Sequence, residues 1–304
     1  MDIVLTSRDD LREAREWGRL CGLAGHAQRD LAECASRYGS LFVARSFDPA
    51  LFATLAFACA YGAPWLPPER LRVATRTCLW SFGLDWLVDH AAGSRAEVDG
   101  VVRACLAVAD GSEPAAGDAP ARFDPARCDL TRFLAELRDE LAAGPDFAAL
   151  HPIWRDELRR MLEAMAREWD WRHGTPPTIE QYLANADNLG FSFVFATHLF
   201  LTGTPYTAGD LAGLRAAGRA VQRVIRLLND LGTYERDIAW GDLNALLLGT
   251  TRAQVAGRVA ALTDRCEDLI RPLRPRHPEL TGYLSRQIGF NQGFYRIADY
   301  WGRQ

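Results

Sequence analysis

Two clusters of oxygen-bearing side chains stand out in this sequence of 304 residues. Asp85 and Asp89 are separated by one helical step of four residues, and Asn229, Thr233 and Asp237 recur at the same spacing. Residues four apart share one face of an α-helix, so each cluster would turn its oxygens to one side. Carboxylate, amide and hydroxyl oxygens without a soft ligand favour Mg²⁺. The sequence therefore predicts two magnesium half-sites on two helices, with the second, richer cluster carrying most of the argument, because an isolated carboxylate pair more often marks a solvated helix end.

The elements that must position these side chains are predicted to be helices. Segments such as 133–141 and 158–171 repeat apolar residues three and four apart, with charged residues on the other face. No convincing alternating strand pattern accompanies them. Proline and glycine clusters break the helical pattern at five places: residues 63–68, 111–120, 173–177, 203–205 and 272–278. These breaks divide the chain into roughly ten helices of ordinary length and predict an all-α protein.

The segment 111–120 is the strongest candidate for a linker because it is rich in glycine, proline and alanine. Helical patterns of similar composition lie on both sides of it. We therefore expect an internal surface loop within a single domain that spans residues 1–304.

Composition excludes several classes of function. The sequence contains no lysine, which rules out a Walker-type phosphate loop and a Schiff-base lysine. A net charge of −4, without a basic run, argues against nucleic-acid binding. Its seven cysteines include no C-x-x-C pair, and its six histidines form no H-E-x-x-H motif, so neither of these zinc-binding patterns is present. Since neither a signal-peptide pattern nor a membrane-spanning apolar run is present, we expect a cytoplasmic protein.

The context of the second cluster resembles a known motif. Residues 229–237, Asn-Asp-Leu-Gly-Thr-Tyr-Glu-Arg-Asp, resemble the (N/D)-D-x-x-(S/T)-x-x-x-E metal motif of class I terpene synthases, with Asp237 one methylene shorter than the usual Glu. The flanking residues 226–228 and 241–245 resemble those of bacterial diterpene synthases. The resemblance covers nearly the whole chain and implies an all-α class I terpenoid synthase bundle around a central active-site cavity.

The same resemblance implies the metal and diphosphate ligands. Asp85 and Asp89 match the first and last acids of the family's D-D-x-x-D motif, while Trp86 replaces its second acid. With Asn229, Thr233 and Asp237, they are the expected ligands of Mg²⁺, three ions by analogy, and all of these except Asp89 are also our predicted catalytic residues. The resemblance further implies diphosphate binding by three arginines: Arg226, Arg236 and Arg296.

A third family feature is altered in this chain. The arginine that senses the diphosphate is expected on the helix after the third break, and Ala186 stands there instead, as in labdane-related diterpene synthases. The following Asp187 and Gly190 resemble the point at which the family's helix breaks and a backbone carbonyl faces the substrate. We therefore place both in the predicted substrate pocket.

The remaining pocket prediction concerns aromatic side chains, which exclude water and attract positive charge. Candidates lie beside the motifs, although about half of them should be ordinary core residues. The pocket candidates are Trp80, Phe82, Trp86, Phe191, Phe294 and Tyr295; Phe193 and Phe195 are further aromatic candidates after the break.

The resemblance implies a lyase that ionises a C20 isoprenoid diphosphate, releases diphosphate and cyclises the carbocation. Geranylgeranyl diphosphate is favoured, and a bicyclic, copalyl-like diphosphate is the alternative. An upstream prenyl diphosphate synthase or class II cyclase would supply the substrate, because the sequence has no D-x-D-D motif. A chain-elongating prenyltransferase is disfavoured by the incomplete aspartate-rich motifs and the lack of lysine. A degenerate helical binding protein without catalysis is the alternative from a different class, and relatives lead us to expect a homodimer.

Overall fold

The computed structural model describes residues 8–112, 124–203 and 205–302. Within these residues the chain forms eleven α-helices and no strand, which confirms the all-α prediction. The helices are α1 Arg8–Arg37, α2 Pro49–Gly62, α3 Pro68–Trp86, α4 Arg95–Ala109, α5 Pro125–Ala142, α6 Phe147–Arg172, α7 Ile179–Ala184, α8 Phe191–Leu199, α9 Ala208–Trp240, α10 Arg252–Ile270 and α11 Pro278–Phe294. A π-helical turn, Leu87–Ala91, follows α3, and short 3-10 turns occupy Ala186–Leu189 and Ala245–Leu248.

Several helices begin where a local side chain satisfies the free backbone amide groups of the first turn. Asp48 accepts hydrogen bonds from two backbone amides at the start of α2. Thr178, Thr207 and Thr251 each form a reciprocal capping box at the starts of α7, α9 and α10. Four of the five predicted breaks lie between described helices. Of the predicted loop 111–120, residues 113–120 lie outside the described residues.

One connected hydrophobic cluster runs through the bundle from Leu23 in α1 to Ile288 in α11. Its largest fully buried side chains include Trp80, Trp154 and Phe133. The longest helix, α9, has 33 residues and contributes a continuous buried face. Because α9 contacts α8, α10 and α11, its register fixes the position of the second acidic cluster relative to the rest of the molecule. None of the described helices is long and apolar enough to cross a membrane.

Candidate active site

A cavity of about 190 Å³ lies between α2, α3, α6, α8, α9 and α11. Along α3, the lining changes from the uncharged Cys78 to the carboxylate of Asp85. Along α9, it changes from the apolar Ile225 to the carboxylate of Asp237. Asp85 and Arg236 are close enough for the arginine charge to affect the carboxyl group, so these two helices present their charged residues at the same end. The cavity therefore has a charged end and a largely apolar end.

The first acidic cluster lies where α3 gives way to the π-helical turn. Asp85 is in the last turn of α3, Asp89 is in the π turn, and both line the cavity. Burial, followed by the negative charges of Asp242 and Glu168, raises the pKa of Asp85 to about 7. Burial and the charge of Asp85 raise the pKa of Asp89 well above its usual value. Carboxylates are thus crowded at this end of the cavity with too little positive charge to balance them.

The second cluster occupies one face of α9. Asn229 Nδ2 donates to the hydroxyl oxygen of Tyr295 at 3.1 Å. The hydroxyl group of Thr233 donates to Asp237 Oδ2 at 2.7 Å, and Asn244 Nδ2 donates to the same oxygen at 2.8 Å. Asn229 and Asp237 line the cavity, whereas Thr233 is 2% exposed and is not part of its surface. The structure thus brings all three residues together, with the threonine directly behind the carboxylate.

The donor set fits magnesium. The NH₂ group of Asn229 donates to Tyr295, so its amide oxygen is available to a metal ion. Asp85 and Asp89 lie among other carboxylates, and a divalent cation would compensate that negative charge. In the described part of the chain, no three histidine, cysteine or carboxylate side chains form a metal site by themselves. A metal ion at the second cluster would therefore need amide or hydroxyl oxygens in addition to the carboxylate of Asp237.

The three predicted diphosphate-binding arginines differ in position. Arg226 and Arg236 line the cavity, but Arg296 is exposed and is not part of the wall. Arg226 Nη2 lies 2.9 Å from Glu168 Oε1, and Arg236 Nη1 lies 2.6 Å from Asp299 Oδ1. The structure does not bring Arg296 to the site because Tyr295, one residue earlier, turns inward.

Half of the predicted pocket residues line the cavity: Phe82, Gly190, Phe191 and Tyr295. The other four do not, and placing them in the wall was wrong. Trp80 is fully buried in the core, where its indole Nε1 donates to Leu130 O at 2.9 Å. Trp86 packs against Trp240 and Trp301, with ring centroids 6.3 and 5.7 Å away.

The remaining two residues outside the wall also have structural partners. Phe294 packs against Tyr300 with a centroid distance of 4.6 Å. Asp187 Oδ1 accepts a hydrogen bond from Gln222 Nε2 at 2.7 Å. The predicted helix break itself is present, because Gly190 adopts a φ of +74°. A Cβ atom at Gly190 would also come within 2.9 Å of the Met161 sulfur, so this position favours glycine for two reasons.

Sequence reasoning missed several groups at the charged end. Arg172 Nη1 lies 2.9 Å from Asp89 Oδ1, and its Nη2 lies 3.3 Å from Asp242 Oδ1, so one guanidinium bridges the segments that carry the two motifs. Glu168 and Asp299 are further carboxylates in the wall. Glu168 lies one turn before Arg172 on the same face of α6. This spacing indicates a charged helix face, but it does not indicate which part of the protein that face contacts.

His90, which directly follows Asp89, also lines the cavity. Burial, followed by the positive charges of Arg172 and Arg236, lowers the pKa of His90 to about 4. At neutral pH it is therefore an uncharged ring, and it packs against Trp240 with a centroid distance of 4.8 Å.

The chain is similar to known proteins over most of its length. The family model described as terpene synthase family 2, C-terminal metal binding, matches residues 76–263. Ent-pimara-9(11),15-diene synthase from Streptomyces sp. (strain KO-3988) is 25% identical over 288 residues, which cover 90% of each chain.

Solved structures share the fold. Germacradien-4-ol synthase from Streptomyces citricolor matches with a TM-score of 0.70 and 15% identity, covering 90% of this chain and 94% of its own. Linalool/nerolidol synthase from Streptomyces clavuligerus matches with a TM-score of 0.64 and 19% identity, covering 89% and 94%. These similarities confirm the class I terpenoid synthase fold predicted from the sequence.

Proposed function

The chain belongs to the terpene synthase family, and we propose that within this family it acts as a magnesium-dependent class I diterpene cyclase. Its substrate would be a C20 isoprenoid diphosphate, with geranylgeranyl diphosphate favoured. The observation that carries this proposal is the single cavity that joins a charged end, which includes Asp85 and Asn229, to an apolar end, which includes Phe82 and Phe191. Such a cavity suits a molecule with an anionic head and a long hydrocarbon tail.

Two groups of residues would hold the magnesium ions. By analogy with the family, we expect three ions. Asp85 and Asp89 form one group, and Asn229, Thr233 and Asp237 form the other. When bound, magnesium supplies a Lewis acid that stabilises negative charge on the diphosphate leaving group.

Arg226 and Arg236 would bind the diphosphate, since their guanidinium groups lie in the cavity wall. Arginine suits this role because its planar group makes paired hydrogen bonds to phosphate oxygens. The exposed position of Arg296 leaves it out of this proposal, and Ala186 supplies no charge. Diphosphate binding would thus depend on α9.

The apolar end would receive the hydrocarbon. Phe82, Phe191 and Tyr283 present rings to the cavity, and Phe191 and Tyr283 stack with centroids 6.0 Å apart. Aromatic faces attract positive charge, and an apolar wall keeps water away from a carbocation. The wall would therefore protect the cation while it folds into rings.

The choice of a C20 substrate draws on the near-full-length similarity to a diterpene synthase. A preformed bicyclic, copalyl-like diphosphate is the alternative, because relatives without the sensor arginine commonly use such substrates. A prenyl diphosphate synthase or a class II cyclase would make the substrate. We further propose that residues 1–304 form one domain and that two chains form a homodimer, which light scattering would test.

Incubation with three substrates tests the function. The purified protein and Mg²⁺ would be mixed separately with farnesyl, geranylgeranyl and copalyl diphosphates, and both released diphosphate and hydrocarbon products would be measured. We expect a cyclic C20 product from one substrate, which is lost on chelation of the metal and in the Asp85→Ala and Asn229→Ala variants. Exposed Asp264→Ala in α10 serves as the matched control.

Two results would contradict the proposal. A cyclic C15 product without a C20 product would replace the substrate class but keep the reaction. A folded protein that releases no diphosphate from any of the three substrates would favour the degenerate binding protein.

A further inference from the structure

Four side chains at steps of four residues run along the cavity face of α11. They are Tyr283, Gln287, Asn291 and, directly after the helix, Tyr295. Tyr295 marks the charged end because its hydroxyl group accepts a hydrogen bond from Asn229. With a rise of about 1.5 Å per residue, Asn291 lies roughly 6 Å and Gln287 roughly 12 Å from that point along the helix. Two amide groups therefore lie beside the part of the cavity that would hold hydrocarbon.

Both amides are buried and anchored through their NH₂ groups. Gln287 is 6% and Asn291 is 3% exposed. Gln287 Nε2 donates to Ala58 O at 3.0 Å, and Asn291 Nδ2 donates to Gln287 O at 2.8 Å. A Cβ atom at Gly62 would come within 2.2 Å of Gln287 Nε2, so the glycine makes room for this amide beside α2.

The two carbonyl oxygens remain available. Among the described residues, no side chain or backbone group donates a hydrogen bond to either of them. An amide group is planar, so fixing its nitrogen also restricts the direction of its oxygen. Since both residues form part of the cavity wall, their oxygens are the local centres of negative charge on this wall of α11.

We infer that the carbonyl oxygens of Gln287 and Asn291 determine the product by fixing where positive charge comes to rest on the cyclising hydrocarbon. This inference rests on the proposed function. Aromatic faces stabilise a cation over a broad area, whereas a carbonyl dipole in a low-dielectric cavity acts at one place. The carbon nearest these oxygens would hold the charge longest. A neighbouring C–H bond then breaks, its electron pair forms the new double bond, and the proton passes to the released diphosphate.

Substitutions at Asn291 separate this role from a structural one. Asn291→Leu removes both the donor and the acceptor at similar volume, whereas Asn291→Asp keeps an acceptor but loses the donor to Gln287 O. The assay measures product ratios by gas chromatography–mass spectrometry, together with total diphosphate release, on the substrate that the wild type accepts. We expect Asn291→Leu to change the ratio of main to minor products by about tenfold, equivalent to about 1.4 kcal/mol, and Asn291→Asp to keep the wild-type main product.

Gln287→Met and Gln287→Glu form a second pair with the same logic, which covers the case in which an Asn291 variant does not fold. Gln292→Leu is the control, because Gln292 lies on the same helix but outside the cavity wall. Equal changes in the apolar and acidic variants would show that the donor, and hence helix packing, matters, and would overturn the inference. Unchanged product ratios would also overturn it. A wild-type protein that releases no diphosphate would overturn the proposed function as well, so the two failures are distinguishable.

Discussion

Removing the negative charge of Asp85 should stabilise the metal-free protein while it abolishes activity. The carboxyl group of Asp85 is crowded by other carboxylates and removed from water, which raises its pKa from 3.8 to about 7. The Asp85→Asn substitution introduces an amide group that has nearly the same shape but cannot ionise. The substitution therefore removes an unfavourable negative charge from the metal-free native state, which keeps that charge for the proposed binding of metal.

The magnitude and sign follow from proton linkage. The native state binds this proton more tightly than the unfolded state does, so the free energy of unfolding of the metal-free protein falls as pH rises from about 4 to about 7. At about 1.4 kcal/mol for each unit of pKa, the full effect is about 4 kcal/mol at pH 8 and about 2 kcal/mol at pH 5. For a chain of this length, with an unfolding entropy of about 2 cal/mol/K for each residue, 4 kcal/mol corresponds to roughly 6 °C in Tm.

Thermal unfolding in a chelating buffer at pH 5 and pH 8 tests this prediction. We expect Asp85→Asn to raise Tm by roughly 6 °C at pH 8 and by about half of that at pH 5. Asp264→Asn, which changes an exposed carboxylate in α10, should leave Tm unchanged at both values. A lower Tm for Asp85→Asn at pH 8, or a gain that does not depend on pH, would refute the reasoning.

Three further substitutions have distinct expected outcomes. Arg226→Met leaves two buried carboxylates without their guanidinium partner, so chemical denaturation should show that the free energy of unfolding falls by about 3–5 kcal/mol. The control Arg223→Met, at an exposed position, should lower it by less than about 0.5 kcal/mol, and equal losses would contradict the prediction. Gly232→Ala would place a Cβ atom 2.8 Å from Tyr295 O, so kcat should fall several-fold with helix content retained, and an unchanged kcat would show that the segment adapts. Trp86→Asp should lower the free energy of unfolding by about 3 kcal/mol without tighter Mg²⁺ binding in titration calorimetry, and a tighter site would be the contrary result.

The all-α class and several helix boundaries could be predicted because their causes are local. Proline and glycine clusters and threonine caps act within a few residues, and the break before α7 falls where Thr178 begins a capping box. The π-helical turn that carries Asp89 was not predicted, because its extra residue depends on how α3 packs against its neighbours. Local sequence gives no sign of that packing.

The pocket prediction failed where it ignored helical register. Phe82 precedes Asp85 by three residues and shares its face, whereas Trp80, five residues before Asp85, points into the core. Trp86 lies four residues after Phe82 and so shares its face, yet it stays outside the wall because it packs behind the lining residues Trp240 and Trp301. A register count from the first acid would have removed Trp80 using the sequence alone, but it could not have removed Trp86.

The charged partners of the two motifs could not be predicted from local sequence, because they come from distant parts of the chain. Glu168 in α6 and Asp299 after α11 approach the site only through the packing of the whole bundle. Their effect is nevertheless specific, because Glu168 holds Arg226 at 2.9 Å and Asp299 holds Arg236 at 2.6 Å. Sequence spacing can predict a cluster on one helix, but it contains no measure of the distance between helices.

This pairing explains why the acidic and basic residues of the site must be considered together. Arg172, Arg226 and Arg236 are each held by at least one carboxylate, so a diphosphate must compete with those carboxylates for the arginines. Neutralising Asp89 and Asp237 would weaken that competition, because Arg172 would then keep only Asp242, and Arg236 only Asp299, as an internal partner. If these residues hold metal and bind diphosphate as proposed, the metal ligands would also control how much arginine charge is available to the substrate.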